Sequence, residues 1–179
     1  MQPIETERLI LRNFQEGDAE RLFAYLHTPV SSCFLDLKLT DLAAARADAV
    51  ARSGDDQQIA VALKGSGQLI GDLFAHPEAE EPDTVSAGWN FNPAFAGRGF
   101  ALEAARALFD HLFSTAGTRR LYAYVEDHNT RSRQLCERLG MRHEGTFVEY
   151  VTFSSDAAGE PIYENTMQYA ILSREWEKG

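Results

Sequence analysis

Apolar and polar residues alternate over Arg8–Phe14 (RLILRNF), a period of two that predicts a half-buried strand near the start of the chain. The period then lengthens. Between Asp18 and Leu26, Leu22, Phe23 and Leu26 share one helical face, and acidic residues occupy the first turn, where they complement the helix dipole. Pro29 closes that region, and residues 30–39 (VSSCFLDLKL) are apolar without a clear period. An alanine-rich helix follows to about Arg52, capped by Thr40 or Asp41. Beyond the polar turn Ser53–Gln57, the stretches Gln58–Lys64 and Gln68–His76 predict a hairpin across Gly65, Ser66 and Gly67.

The acidic segment Glu78–Asp83 reads as a solvated loop, and Thr84–Phe91 as a strand stopped by Asn92-Pro93. Phe100–Thr115 predicts the longest helix, with Ala101, Ala105, Leu108 and Leu112 on one stripe. Arg120–Glu126 is a strand, and Asn129–Leu139 a helix with Gly140 as its C′ residue. Met141–Phe153 and Ile162–Leu172 predict long closing strands joined by the turn Ser154–Pro161. This order gives a mixed α/β fold in a single domain spanning 1–179, without repeats or linkers.

Length and composition narrow the function by exclusion. A chain of 179 residues buries a sizeable core in one domain. No apolar run approaches a membrane span and the N-terminus lacks a signal pattern, so a cytoplasmic protein with no membrane partner is expected. Cys33 and Cys136 lie far apart and the five histidines are scattered, so no metal site is expected. Seventeen basic residues against twenty-seven acidic ones give a formal charge of −10, which argues against nucleic-acid binding. That charge suits a cationic substrate such as an amine or a basic peptide, and equally a merely solubilising surface.

The chemistry concentrates in FAGRGFALEA, Phe95–Ala104, between a strand and the longest helix. A strand–glycine–helix passage presents unpaired backbone N–H groups at the positive end of a helix dipole, a setting for an anion such as pyrophosphate. Gly97 and Gly99 allow close approach of a ligand, and Arg98 offers donors matched to phosphate oxygens. A dinucleotide fingerprint fails at Leu102, and the absence of Gly-Lys-Ser/Thr rules out a P-loop.

The blocks ETERLILR (Glu5–Arg12), WNFNPAFAGRGFALEA (Trp89–Ala104), NTRSRQLCERLGMRHEG (Asn129–Gly145) and YENTMQYAILSREW (Tyr163–Trp176) together resemble the GNAT superfamily of N-acetyltransferases. More narrowly, they are similar to the branch that acetylates ribosomal-protein N-termini. The resemblance implies a mostly antiparallel, seven-stranded mixed sheet with a central splay, flanked by about four helices. It implies acetyl-CoA as co-substrate, an amine acceptor (a protein N-terminus, a small amine or an amino-sugar) and direct attack in a ternary complex. A homodimer is a further expectation. The apolar loop Val30–Leu39 and the turn Ser154–Pro161 are the expected acceptor contacts. A catalytically degenerate acyl-CoA-binding module of the same fold is the alternative.

Residue by residue, the resemblance assigns acyl-CoA contacts to Asn90, Phe91, Asn92, Gly97, Arg98, Gly99, Phe100, Ala101, Asn129 and Ser132. The family's phosphate-loop pattern is met at Gly99 and Ala101, but Ala96 stands where Gln or Arg is usual. A backbone N–H near Asn90–Asn92 would polarise the thioester carbonyl. Where many relatives carry a proton-donating tyrosine, this chain has Cys136, which reads as a core residue. Ser132, three residues after Asn129, takes the donor role in the ribosomal-protein branch. Both Asn129 and Ser132 also suit a helix N-cap. For the base, Glu149 lies where that branch carries a carboxylate, Glu126, Asp127 and His128 could act through water, and Glu103 could organise the site. Tyr122 and Tyr124 share a strand face and read as core.

Overall fold

The computed structural model describes residues 1–176; residues 177–179 of the expected domain lie outside the described residues. The alternating segments build one mixed sheet. Its strands are β1 (Ile4–Glu5), β2 (Leu9–Arg12), β3 (Gln58–Leu63), β4 (Leu69–Pro77), β5 (Thr84–Phe91), β6 (Arg120–Glu126), β7 (Arg142–Ser155) and β8 (Pro161–Leu172). Their spatial order is β1-β2-β3-β4-β5-β6-β8-β7, antiparallel throughout except for β5 beside β6. The helices are α1 (Ala19–Leu26), α2 (Leu42–Ser53), α3 (Phe100–Ser114), α4 (Thr130–Arg138) and the single turn α5 (Ser173–Trp176).

The sheet has eight strands where seven were expected. The addition is β1, a two-residue strand too short to show any period. It pairs Ile4 with Leu11 and Glu5 with Ile10 through a turn in which Thr6 N–H donates to the Leu9 carbonyl at 2.9 Å. The aperiodic stretch after α1 contains a 3-10 helix, Ser32–Leu37, whose leucines Leu35 and Leu37 stay exposed. Of the two candidate caps for α2, Asp41 serves: its carboxylate accepts from Ala44 N–H at 2.8 Å.

The two sheet faces are covered unequally. On one, α3 and α4 bury a large core that includes Phe109, Leu108, Leu121, Val125, Leu135 and Cys136. On the other, α1 and α2 pack Leu22, Leu26, Ala45 and Ala49 against Ala60 of β3 and Leu69 of β4, and this cluster takes in no residue of β6 or β8. Leu121, Ala123 and Val125 point into the first core, so by the pleat Tyr122, Tyr124 and Glu126 face the second side. Tyr122 and Tyr124 are therefore not core residues: Tyr124 is 46% exposed and meets Tyr122, Phe147 and Tyr150 edge-on or tilted on the open half of the sheet.

A polar cluster is buried beneath α1 and α2. The Tyr25 hydroxyl donates to Asp72 Oδ1 at 2.6 Å, and Arg52 Nη1 lies 3.6 Å from Asp72 Oδ2. Burial pushes the Asp72 carboxyl up to about 6, outweighing the downward pull of Arg52 and of the Tyr25 hydrogen bond. A carboxyl raised by folding contributes stability fully present below its unfolded value, near pH 4, and lost as pH rises through 6. The difference is on the order of 3 kcal/mol. Asp72→Asn removes this dependence. Relative to wild type, the variant is expected to gain stability between pH 4 and 6 and to run parallel above pH 7, as read by denaturant unfolding at each pH. A constant offset across that range would show that Asp72 does not titrate there.

Candidate active site

The site begins where β5 ends. Asn92 turns the chain: its side chain accepts from Ala94 N–H at 3.0 Å, and its own N–H donates to the Ile70 carbonyl at 2.9 Å. That N–H is thus engaged within the protein, and by the alternation of the β4–β5 ladder the Asn90 N–H is likewise turned to Asp72. Of the stretch expected to polarise a carbonyl, only the Phe91 N–H faces away from β4. Gly97 and Gly99 follow at φ 75° and 78°. A Cβ at Gly97 would meet nothing within 4 Å, so the left-handed backbone, not space, calls for glycine. α3 then starts at Phe100 with no side-chain cap. Among the described residues no acceptor takes the N–H groups of Gly97, Arg98, Gly99, Phe100 or Ala101, which leaves a fan of donors at the positive end of the helix.

The opening block of the chain holds this loop in place. Arg8 donates to the Arg98 carbonyl at 3.0 Å through Nη1 and to Glu103 Oε2 at 2.6 Å through Nε, and its guanidinium lies 4.6 Å from the Phe100 ring centre. The Thr6 hydroxyl and the Arg8 N–H both donate to Glu103 Oε1, at 2.6 and 2.9 Å. Partial burial would raise the Glu103 carboxyl, but these donors and the Arg8 charge outweigh it and hold the group below its usual range. Glu103 therefore organises the loop, and it does so as a carboxylate pinned to the β1–β2 region. The pairing joins residues far apart in sequence, and neither block alone signals it.

β5 and β6 pair over Thr84–Arg120, Val85–Leu121 and Ser86–Tyr122, and the ladder between them stops there. From Ala87 on, β5 bonds only to β4; from Ala123 on, β6 bonds only to β8. The splay expected at the centre of the sheet is this gap. At its mouth, the Trp89 indole N–H donates to Ser132 Oγ at 2.8 Å, linking β5 to the first turn of α4. Asn129 caps that helix: its Oδ1 accepts from Ser132 N–H at 3.2 Å, and its Nδ2 donates to Ser31 Oγ at 3.3 Å. Ser132 Oγ accepts from Trp89, so its own O–H remains free to donate. Cys136, in the position of the family's tyrosine, is fully buried in the core, and burial pushes its thiol up to about 12.

The candidate carboxylates occupy different settings. Glu149 sits in a bulge of β7 between Phe147 and Val151, exposed, at φ 49°, with its N–H donating to Asn165 Oδ1 at 2.9 Å. Positive φ is uncommon for a residue with a side chain and marks the bulge as strained. Asn165 Nδ2 in turn donates to Asp127 Oδ2 at 2.8 Å, tying the bulge to the loop between β6 and α4. Glu126, the last residue of β6, is buried, and Asp127 and His128 are partly or fully exposed beside it. Two further groups escaped the sequence reading. Glu164 of β8 accepts from Ser32 Oγ at 2.8 Å, and Thr166 lies opposite Glu126 in the ladder. The period of two along YENT places Glu164 and Thr166 on one face, a signal that could have paired them with Glu126. Burial, then the neighbouring Glu126 carboxylate, push the Cys33 thiol up to about 12. Among the described residues no group of three or more His, Cys, Asp or Glu side chains is arranged to hold a metal ion.

This geometry has close counterparts among known proteins. Residues 8–142 match the family model described as an acetyltransferase (GNAT) domain. The chain is 27% identical over 174 residues to the uncharacterized N-acetyltransferase YnaD of Bacillus subtilis, covering 97% of this chain and 98% of that protein. A crystal structure of a GNAT-family acetyltransferase from Bacillus anthracis superposes with a TM-score of 0.85 at 27% identity, over 97% of this chain and 100% of the other. The ribosomal-protein-S5-alanine acetyltransferase of Vibrio fischeri shares the fold alone, with a TM-score of 0.72 at 15% identity over 98% and 99% of the two chains. With a glycine loop uncapped at the head of α3 and a sheet parted between β5 and β6, the chain belongs to the GNAT family of acetyltransferases, which use acetyl-CoA.

Proposed function

We propose that the protein transfers the acetyl group of acetyl-CoA to a primary amine, a protein N-terminus or a small amine, by direct attack within a ternary complex. The observation that carries this reading is the Trp89–Ser132 hydrogen bond at the mouth of the β5–β6 gap, which fixes a hydroxyl with a free O–H there. The pyrophosphate would be held by the N–H groups of Gly97–Ala101 and by Arg98, and the pantetheine arm by the unpaired edges of β5 and β6. Ala96 offers no side-chain donor, so the loop depends more heavily on its backbone and on the Arg8 clamp.

Each residue then has a definite task. The Phe91 backbone N–H, turned away from β4, stabilises the oxyanion as the amine nitrogen bonds to the acyl carbon. Ser132 donates a hydrogen bond to the sulfur as the C–S bond breaks and negative charge builds on it. The attacking amine must first lose a proton, and Glu149, the exposed carboxylate of the β7 bulge, is the group that the family resemblance assigns to receive it through solvent.

Ser132→Ala is expected to lower kcat on the order of 10²-fold while shifting the acetyl-CoA Kd only a few-fold. An unchanged kcat in steady-state assays would remove Ser132 from the chemistry. Trp89→Phe, which keeps the ring and removes the indole donor, should give a smaller loss of the same kind. Arg8→Ala has the opposite signature. Releasing the Arg98 carbonyl and Glu103 should raise the acetyl-CoA Kd by about tenfold, equivalent to roughly 1.4 kcal/mol, with kcat at saturation nearly preserved. Calorimetric titration with CoA checks this, and a Kd equal to wild type would show that the loop holds its shape without the clamp.

A further inference from the structure

The mouth of the gap carries negative charge that transfer of an acetyl group does not itself require. Glu126 is 5% exposed, its carboxylate takes a hydrogen bond from the Cys33 thiol, a weak donor, and among the described residues no cation pairs with it. Its cross-strand partner Thr166 is 3% exposed, and the Thr166 hydroxyl is buried without any hydrogen-bond partner. Two residues along β8 on the same face stands Glu164, whose side chain is 13% exposed. The Ser31–Leu37 segment reaches both carboxylates. Ser32 donates to Glu164 Oε2 at 2.8 Å, and the Cys33 thiol lies in the field of both Glu126 and Glu164. Among the described residues, none of the basic groups nearby pairs with Glu126. His128 Nδ1 is 3.7 Å from both Glu164 and Asp127 and is itself largely exposed, while Arg133 directs Nη1 to the Asp127 carbonyl at 2.9 Å.

We propose that this pocket takes the acceptor as a dication: a short aliphatic diamine with one ammonium against Glu126 and Thr166 and the second against Glu164 and Ser32. The inference rests on the acetyl-transfer reading and names its substrate class. A buried carboxylate without a cation is costly, and an ammonium ion supplies both the countercharge and donors for the carboxylate and the idle Thr166 hydroxyl. Diagonal neighbours on one face of an antiparallel pair stand about 7–8 Å apart, a separation that a short diamine spans and a monoamine does not. Glu126, at the end of β6 facing the gap, meets the nitrogen that attacks once its ammonium proton has passed through solvent to Glu149. Glu164, under the loop, holds the other. The overall charge of −10 favours approach of such a cation.

The test uses the full-length protein saturated with CoA and titrates it with putrescine and with n-butylamine. Putrescine should bind at least about tenfold more tightly. Glu164→Gln should bring that ratio close to unity, and Glu126→Gln should weaken both amines. If Glu126→Gln fails to fold, as a thermal melt would reveal, Glu164→Gln decides the matter alone. Equal affinities for the two amines in wild type, or a putrescine preference that survives Glu164→Gln, would overturn the dication site. Thioester cleavage measured in parallel separates the two ideas. Tight putrescine binding without cleavage would retain the site and sink the acetyl-transfer reading. Cleavage with equal kcat/KM for both amines, or with a neutral-chain peptide N-terminus preferred over putrescine, would keep acetyl transfer and sink the site.

Discussion

Everything in this active site depends on the ladder between β5 and β6 ending after Ser86 and Tyr122. A sheet opened in its middle leaves backbone N–H and C=O groups without partners, which a buried interior does not tolerate. The structure bears this because each strand keeps one complete antiparallel neighbour. β5 is registered against β4 from Val85–Pro77 to Phe91–Gly71, and β6 against β8 from Arg120–Leu172 to Glu126–Thr166. Both strands are therefore held straight on their outer sides while their inner edges stay available to a ligand that can itself form peptide-like hydrogen bonds.

The same parallel pair dictates where the anion loop must lie. Parallel neighbours require a crossover, and here α3 provides it, leaving the chain at the end of β5 and returning to the start of β6. Its N-terminus consequently sits beside the open end of the gap, and the uncapped N–H groups of Gly97–Ala101 put positive potential there. Arg8 and Arg98 add charge of the same sign, while Glu103 is absorbed in fixing Arg8. Across the gap, Glu126 and Glu164 set the opposite sign. One end of the cleft thus suits the proposed pyrophosphate and the other the proposed ammonium, a polarity that would orient the two substrates before any side chain touches them.

Much of this was legible in the chain because it is written locally. Alternation marked the longer strands, the glycines marked the loop, and Asn129 marked the start of α4. What was not legible is what arises only when distant segments meet. β1 is too short to carry a period and exists because Leu11 and Ile10 offer it an edge. Tyr122 and Tyr124 alternate as core residues would, but α1 and α2 stop short of β6, so no helix of that layer covers them and only neighbouring side chains of the sheet pack on them. The Arg8–Glu103 clamp joins the opening block to the longest helix, and no spacing within either block encodes it. The carboxylates pose the same problem. Glu126, Glu149 and Glu164 look alike in sequence, and only their burial separates them.

Ser132 shows how a local rule can conceal a functional group. A serine in the first turn of a helix is ordinarily explained by capping, and Asn129 three residues earlier is explained in the same way. The helix needs only one of them for that end. Asn129 Oδ1 accepts the Ser132 N–H, so the Ser132 hydroxyl is released from the backbone and meets the Trp89 indole instead. That contact uses an acceptor lone pair and fixes the rotamer, while the hydroxyl hydrogen stays unspent. A helix end capped by its own serine would have turned that oxygen back on the main chain. Here the asparagine does the structural work, and the serine is left facing the gap with a proton to share.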